Sequence, residues 1–160
     1  MTHDDDVDFA LAVYHEGGSW QVQELTHHHL VDVETLSGAL RRLPGDFGAV
    51  GMVAIDEDFF VLVRVAGEST RVLLSDVTAA DDWELAGSAV DFLGVAMPED
   101  DGAQVPAGDL ALLADLGMPA GELGELLDDD ELYPDEILSD IADRLGFGEL
   151  FDDAVGLTNA

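Results

Sequence analysis

The sequence predicts an α+β protein: a five-stranded antiparallel sheet in the element order β-β-α-β-β-β-α, followed by a small C-terminal helical region. Three observations predict this class. Short apolar runs rich in strand formers, separated by turns, fill the first half of the chain. Connections of three to five residues between its last strands favour hairpins and therefore antiparallel pairing. In the second half, the apolar residues change to helical spacing.

The first three elements are two strands and a helix. An apolar run at 7–14 and an alternating run at 20–25 flank a two-glycine turn, which predicts a hairpin because glycine accepts the positive φ of tight turns. Asp32 can cap a helix over 33–43, in which valine and leucine repeat on one stripe. A Pro-Gly pair ends that helix.

Three further strands and a second helix complete the predicted sheet. The strands are predicted at 49–55, 59–65 and 71–75, and the helix at 84–93 with Gly94 as its stop. Because the strand at 59–65 is apolar on both faces, we expect it inside the sheet, covered on both sides. The element order is similar to that of roadblock, longin and profilin-like domains, which often serve as protein-docking platforms, although fold alone does not imply function.

The predicted organisation has three parts. Residues 1–94 form the α+β sheet domain, residues 95–108 an acidic linker rich in Pro, Gly and Ala, and residues 109–160 a region of short helices. That region is expected either to be free or to pack on the sheet. Its helices are predicted at 109–116, 119–127, 134–145 and 149–155.

The composition excludes several classes of function. The chain has 36 acidic residues, five arginines, no lysine and no cysteine, for a net charge of −31. Without cysteine, the chain cannot form disulfides, thiolate nucleophiles, cysteine zinc sites or the metal site of the zinc nucleobase deaminases. Without lysine, it cannot form a P-loop. Direct nucleic-acid binding is not expected, because it depends on clustered Lys and Arg. The acidic start and the lack of an 18-residue apolar run predict a cytoplasmic protein without a membrane span.

The candidate chemical groups predict neither a metal site nor a cofactor. His27, His28 and His29 are consecutive, so in a strand they would point to alternate faces and could not readily share one ion. The acidic clusters lack the spacing of an EF-hand loop. They are interpreted as a solvated face or, alternatively, as a surface for a basic partner, and genome composition remains a further explanation of the acidity.

Four stretches of the sequence resemble a known family. They are LRRLP at 40–44, DFFVLVR at 58–64, LLSDVTAA at 73–80 and ELYPDEILSDIADRLGFGELF at 131–151. In order and spacing they resemble the actinobacterial tRNA adenosine deaminase-associated protein family, over roughly residues 9–155. The resemblance implies a bacterial cytoplasmic protein linked to tRNA modification. It does not identify any catalytic residue in this chain.

Two hypotheses of function follow. The first is a non-catalytic accessory protein that binds a basic protein partner, with a tRNA adenosine deaminase as the candidate, through an acidic surface. The alternative is an enzyme or small-ligand-binding domain that uses buried carboxylates. Trp83 is either a packing anchor at a helix start or an exposed docking aromatic. The predicted partner-binding residues are Asp56, Asp58, Trp83, Asp128, Asp129, Asp130 and Glu131.

Overall fold

The computed structural model describes residues 7–25, 32–43, 48–55, 59–66, 69–76, 84–94, 107–127 and 134–155. The strands are β1 (Val7–Glu16), β2 (Ser19–Glu24), β3 (Ala49–Ile55), β4 (Phe59–Ala66), β5 (Ser69–Leu74) and β6 (Ala107–Gly108). They form one sheet in the order β2-β1-β3-β4-β5-β6, and every neighbouring pair is antiparallel. The predicted α+β class and its five antiparallel strands are confirmed, and β6 adds a sixth, two-residue strand.

The helices lie where the apolar spacing predicts them. They are α1 (Val33–Arg41), α2 (Glu84–Leu93), a 3-10 helix (Leu110–Leu116), α3 (Ala120–Leu127), α4 (Pro134–Leu145) and α5 (Gly148–Val155). The first of them ends two residues before the predicted end, because the chain already leaves helical hydrogen bonding at Arg42. Within the described residues, no helix combines the length and apolar character that a membrane crossing requires.

The strand β4 lies inside the sheet, as its sequence predicts. Residues 59–65 are all buried, which is possible only if both faces of the strand are covered. Alternate side chains point to opposite faces. Val61 and Val63 therefore enter one core, whereas Phe60 and Leu62 enter the other.

Helices cover the sheet on both sides. On one face, α1 and α2 bury an apolar stripe that includes Leu36, Leu40 and Leu85. On the opposite face, the 3-10 helix and α3 to α5 bury a second set that includes Ile141 and Phe151. The C-terminal helices therefore pack on the sheet, and the described residues form three layers, helix-sheet-helix.

The two helices of the first layer are joined at the start of α1. Asp32 is the N-cap of α1, and its Oδ1 accepts a hydrogen bond from the Thr35 backbone N–H at 2.7 Å. The Val33 N–H donates to Ser88 Oγ in α2 at 2.9 Å, and the Ser88 hydroxyl donates to the Leu85 carbonyl at 2.8 Å. A side chain of one helix thus satisfies a backbone donor that the first turn of the other leaves open.

The strand β6 has no counterpart in the sequence prediction. Gly108 has φ +130°, and a Cβ at this position would lie 2.2 Å from the Val72 carbonyl oxygen, so only glycine fits there. The next residue, Asp109, donates its N–H to the same carbonyl at 3.0 Å. This close pairing fixes the chain against β5 just before the 3-10 helix. Residues 95–106 of the predicted linker lie outside the described residues, and the three-part division of the chain stays a prediction.

An aromatic contact links the C-terminal layer to the edge of the sheet. The Trp20 ring on β2 lies 4.9 Å from the Phe147 ring and 5.2 Å from the His15 ring, measured between centroids. Phe147 is buried and directly precedes α5. The edge strand therefore anchors the beginning of the last helix.

Candidate functional site

The partner-binding residues predicted from the sequence all lie outside the described residues. Asp56 and Asp58 fall between β3 and β4, and Trp83 directly precedes α2. The run Asp128, Asp129, Asp130 and Glu131 falls between α3 and α4. Their role therefore stays a prediction, and the same holds for the His27–His29 cluster, which also lies outside.

The described C-terminal helices carry an acidic outer surface, here called the acidic helical face. Each helix turns an apolar stripe to the sheet, which leaves the polar positions outside. The charged side chains there are exposed or half-buried. They are Glu122 and Glu125 of α3, Glu136, Asp140 and Asp143 of α4, and Glu149 and Asp152 of α5.

One arginine lies among these carboxylates. Arg144 is the single cationic side chain that the sequence has between residues 120 and 155. Its Nε lies 2.8 Å from Asp140 Oδ1 and its Nη1 lies 3.0 Å from Glu122 Oε1. The guanidinium is thus held by two carboxylates from neighbouring helices. The net charge of the face stays strongly negative, since seven carboxylates oppose one cation.

The opposite helical layer has a different charge balance. Its described acids are Asp32 at the N-cap of α1, Glu34 in α1, and Glu84 and Asp91 in α2. Two exposed arginines at the end of α1, Arg41 and Arg42, offset half of these four charges. The described negative charge is therefore concentrated on the C-terminal side of the sheet.

Leu150 gives the acidic helical face an apolar contact point. This side chain of α5 is 41% exposed and follows Glu149 directly. Phe92 of α2, on the other layer, is 50% exposed. A leucine among carboxylates resembles the anatomy of protein interfaces, in which an apolar contact is surrounded by a polar rim.

A separate, cationic feature lies where β4 and β5 meet the 3-10 helix. A cavity of about 420 Å³ opens there, and the described residues that line it are Arg64, Ala66, Ser69, Arg71, Ala111 and Ala114. Arg64 is 4% exposed and donates from Nη1 to the Leu112 carbonyl at 2.8 Å. Arg71 is half-exposed, and its Nε lies 3.5 Å from Asp109 Oδ2.

Among the described residues, one acid, Asp76, is buried as the alternative hypothesis of carboxylate chemistry requires. The described residues that line the cavity include two arginines and no acid. Hydrogen bonds from the Thr35 backbone N–H and side chain hold the pKa of Asp32 below its ordinary value, but that carboxylate caps a helix. In the described part of the chain, no three His, Asp or Glu side chains are placed to share a metal ion.

Two features of this site were missed by reasoning from sequence. The acidic helical face was missed because its residues are spread along the helices rather than clustered in a run. The acidic residues at the outward positions of the predicted helices are the signal that could have revealed it. The pair Arg64 and Arg71 was missed although an arginine inside an apolar strand is a signal by itself, since charged residues are rarely buried.

Comparisons with known proteins place the chain in a family. Residues 8–148 match the family described as Rv3753c-like tRNA adenosine deaminase-associated protein. The chain is also similar to Protein Rv3753c of Mycobacterium tuberculosis (strain ATCC 25618 / H37Rv), with 39% identity over 144 residues, which covers 88% of this chain and 83% of that protein. No solved structure matches the chain significantly. The chain belongs to the Rv3753c-like tRNA adenosine deaminase-associated protein family.

Proposed function

We propose that this chain is a non-catalytic accessory protein that binds a basic protein partner, a tRNA adenosine deaminase, through the acidic helical face. The observation that carries the proposal is the charge distribution: α3 to α5 carry seven described carboxylates and one arginine, which two of the carboxylates already bind. The description of the family supplies the candidate partner.

Electrostatics supports the choice of partner. An enzyme that holds tRNA needs Lys and Arg opposite the phosphates. Such a positive surface attracts a protein with a net charge of −31, and the attraction raises the association rate and declines with salt. Each exposed ion pair contributes only about 0–1 kcal/mol, so many carboxylates must act together.

We also propose that the residues predicted from the sequence contribute to partner binding. The run Asp128 to Glu131 connects α3 to α4 in the chain, between two helices of the acidic helical face. Asp56, Asp58 and Trp83 complete the proposed set. In this proposal the protein works in the cytoplasm, uses no cofactor and does not bind nucleic acid directly, because its net charge of −31 repels a polyanionic backbone.

Matched charge variants test which surface binds. The first variant combines Glu125→Gln, Glu136→Gln and Glu149→Gln, one exposed carboxylate from each helix of the acidic helical face. The control combines Glu34→Gln, Glu84→Gln and Asp91→Asn on the opposite layer, which changes the net charge by the same amount. The affinity of each for the purified deaminase is measured by fluorescence anisotropy at about 50 and 150 mM salt.

The first variant should lose affinity by about tenfold or more at low salt, and the control should bind nearly as the wild type does. Equal losses in the two variants would mean that net charge matters and the face does not. Unchanged affinity in both would assign the acidity to solubility. Replacing Asp128 to Glu131 with the corresponding amides tests their predicted contribution in the same assay.

A second pair of variants tests the apolar contact. Leu150→Ala removes the exposed leucine of the acidic helical face, whereas Phe92→Ala removes a larger exposed side chain from the opposite layer. If α5 is part of the interface, the first substitution weakens binding and the second does not. The reverse result would show that the partner binds on the side of α2.

A further inference from the structure

Two arginines face each other on neighbouring strands. Arg64 of β4 and Arg71 of β5 are register partners, so their side chains leave the same face of the sheet directly opposite one another. Like charges in this position repel and destabilise a sheet. The pair is conspicuous in a chain that has five arginines and a net charge of −31.

The surroundings hold the two guanidinium groups differently. Arg64 is almost fully buried, and the Leu112 carbonyl of the 3-10 helix accepts a 2.8 Å hydrogen bond from its Nη1. Arg71 is half-exposed and is held loosely, because its contacts to the Ala111 carbonyl and to Asp109 Oδ2 are both 3.5 Å long. The Arg64 guanidinium is therefore fixed at the wall of the cavity, whereas the Arg71 guanidinium is able to turn toward a ligand.

Space for a ligand lies beside the pair. The cavity of about 420 Å³ has the volume of a small-molecule site, and its remaining described lining consists of three alanines and the Ser69 hydroxyl. The small alanine side chains leave space in the cavity for a ligand. The serine hydroxyl and the two guanidinium groups supply hydrogen-bond donors. Guanidinium groups match carboxylate and phosphate oxygens in geometry as well as in charge.

We propose that the cavity between β4, β5 and the 3-10 helix binds the oxyanion group, carboxylate or phosphate, of a small ligand. Arg71 and Ser69 contact the oxyanion, and Arg64 contributes its positive charge from the wall. Asp109 would compete with such a ligand, because its carboxylate lies 3.5 Å from the Arg71 Nε. This site is independent of the proposed partner binding and uses none of the residues of the acidic helical face.

The test uses the isolated full chain with two probes, inorganic phosphate and acetate. Each is titrated into ¹⁵N-labelled protein at a constant ionic strength of about 0.15 M, set with sodium chloride, while the Arg71 side-chain N–H and the backbone amides of Ser69 and Ala111 are followed by NMR. At least one probe should give saturable shifts of these signals. The probe that binds more tightly identifies the oxyanion.

Three substitutions make the assignment specific. Arg71→Gln should weaken binding by about tenfold or more, since it removes a charged donor. Asp109→Asn keeps the cap of the 3-10 helix but removes the competing charge, so it should tighten binding by about threefold. Arg42→Gln removes the same charge as the first variant at an exposed position outside the cavity and should leave the affinity unchanged.

Two results would overturn the proposal. One is the absence of saturable shifts with both probes. The other is a loss of affinity in Arg42→Gln equal to that in Arg71→Gln, which would indicate a diffuse effect of net charge. Ser69→Ala is a second variant at the exposed start of β5, and it should also weaken binding if the cavity holds the ligand.

Discussion

At the scale of single residues, Asp32 combines a structural role with a response to pH. Its carboxylate accepts the Thr35 N–H, and this hydrogen bond favours the charged form, which lowers the pKa of the group in the folded protein. Because the folded pKa lies below the unfolded one, the stabilisation is complete above the unfolded value. It is lost as the pH falls through the folded value.

We expect Asp32→Ala to lower the free energy of unfolding by about 1 kcal/mol at neutral pH. The difference from the wild type should shrink as the pH falls below about 4, since the cap of the wild type is then protonated. Urea denaturation of both proteins between neutral pH and pH 2 measures this difference in the free energy of unfolding. A difference that stays constant down to pH 2 would show that the charge of the cap has no part in the effect.

Ser88 has a comparable role between two helices. We expect Ser88→Ala to destabilise the fold by about 1–3 kcal/mol, because the Val33 N–H then loses its acceptor. Ser19→Ala on the exposed edge strand is the matched control and should change stability by less than about 0.5 kcal/mol. Thermal unfolding of both variants distinguishes a shared hydroxyl effect from the loss of this particular bond.

At the scale of elements, most boundaries follow from local signals in the sequence. The helix α4 has the predicted bounds because Pro134 suits its first turn and Gly146, with φ +108°, suits its end. The strand β5 was predicted at 71–75 but begins at Ser69. Its two polar residues join the ladder through backbone pairing with β4, which hydrophobic spacing does not report.

Tertiary pairing explains what the sequence could not predict. The strand β6 has two residues and no apolar pattern, so only its pairing with β5 reveals it. The opposition of Arg64 and Arg71 depends on hairpin register, and the acidic helical face depends on which side of each helix the sheet covers. The sequence predicts the elements well, whereas the candidate sites form only when the elements assemble.

The tight pairing of β6 leads to a prediction with a built-in control. We expect Gly108→Ala to destabilise the protein by about 1–3 kcal/mol, because the new Cβ would collide with the Val72 carbonyl and the φ is unfavourable. Gly121→Ala adds the same methyl group in helix α3, where nothing lies within 4 Å, and should stabilise by about 0.5–1 kcal/mol. Shifts of the same sign in thermal unfolding would contradict this description of β6.

At the scale of the whole molecule, charge opposes the packing of the three layers. A net charge of −31 repels itself in the folded state, and salt screens that repulsion. We expect the melting temperature to rise with sodium chloride, by about 2–4 °C for each kcal/mol of repulsion removed. A melting temperature that falls with salt would mean that attractive ion pairs, such as those of Arg144, outweigh the repulsion.

The same charge gives the molecule its proposed role as a binding protein. The two helical layers cover both faces of the sheet. Most of the described acidic side chains of the helices lie on the C-terminal layer, where a basic partner can reach them. The most direct test is size-exclusion chromatography with light scattering on the purified chain mixed with the tRNA adenosine deaminase. The proposed function predicts a complex at about 50 mM salt that weakens at about 150 mM. Two separate peaks at both salt concentrations would contradict it.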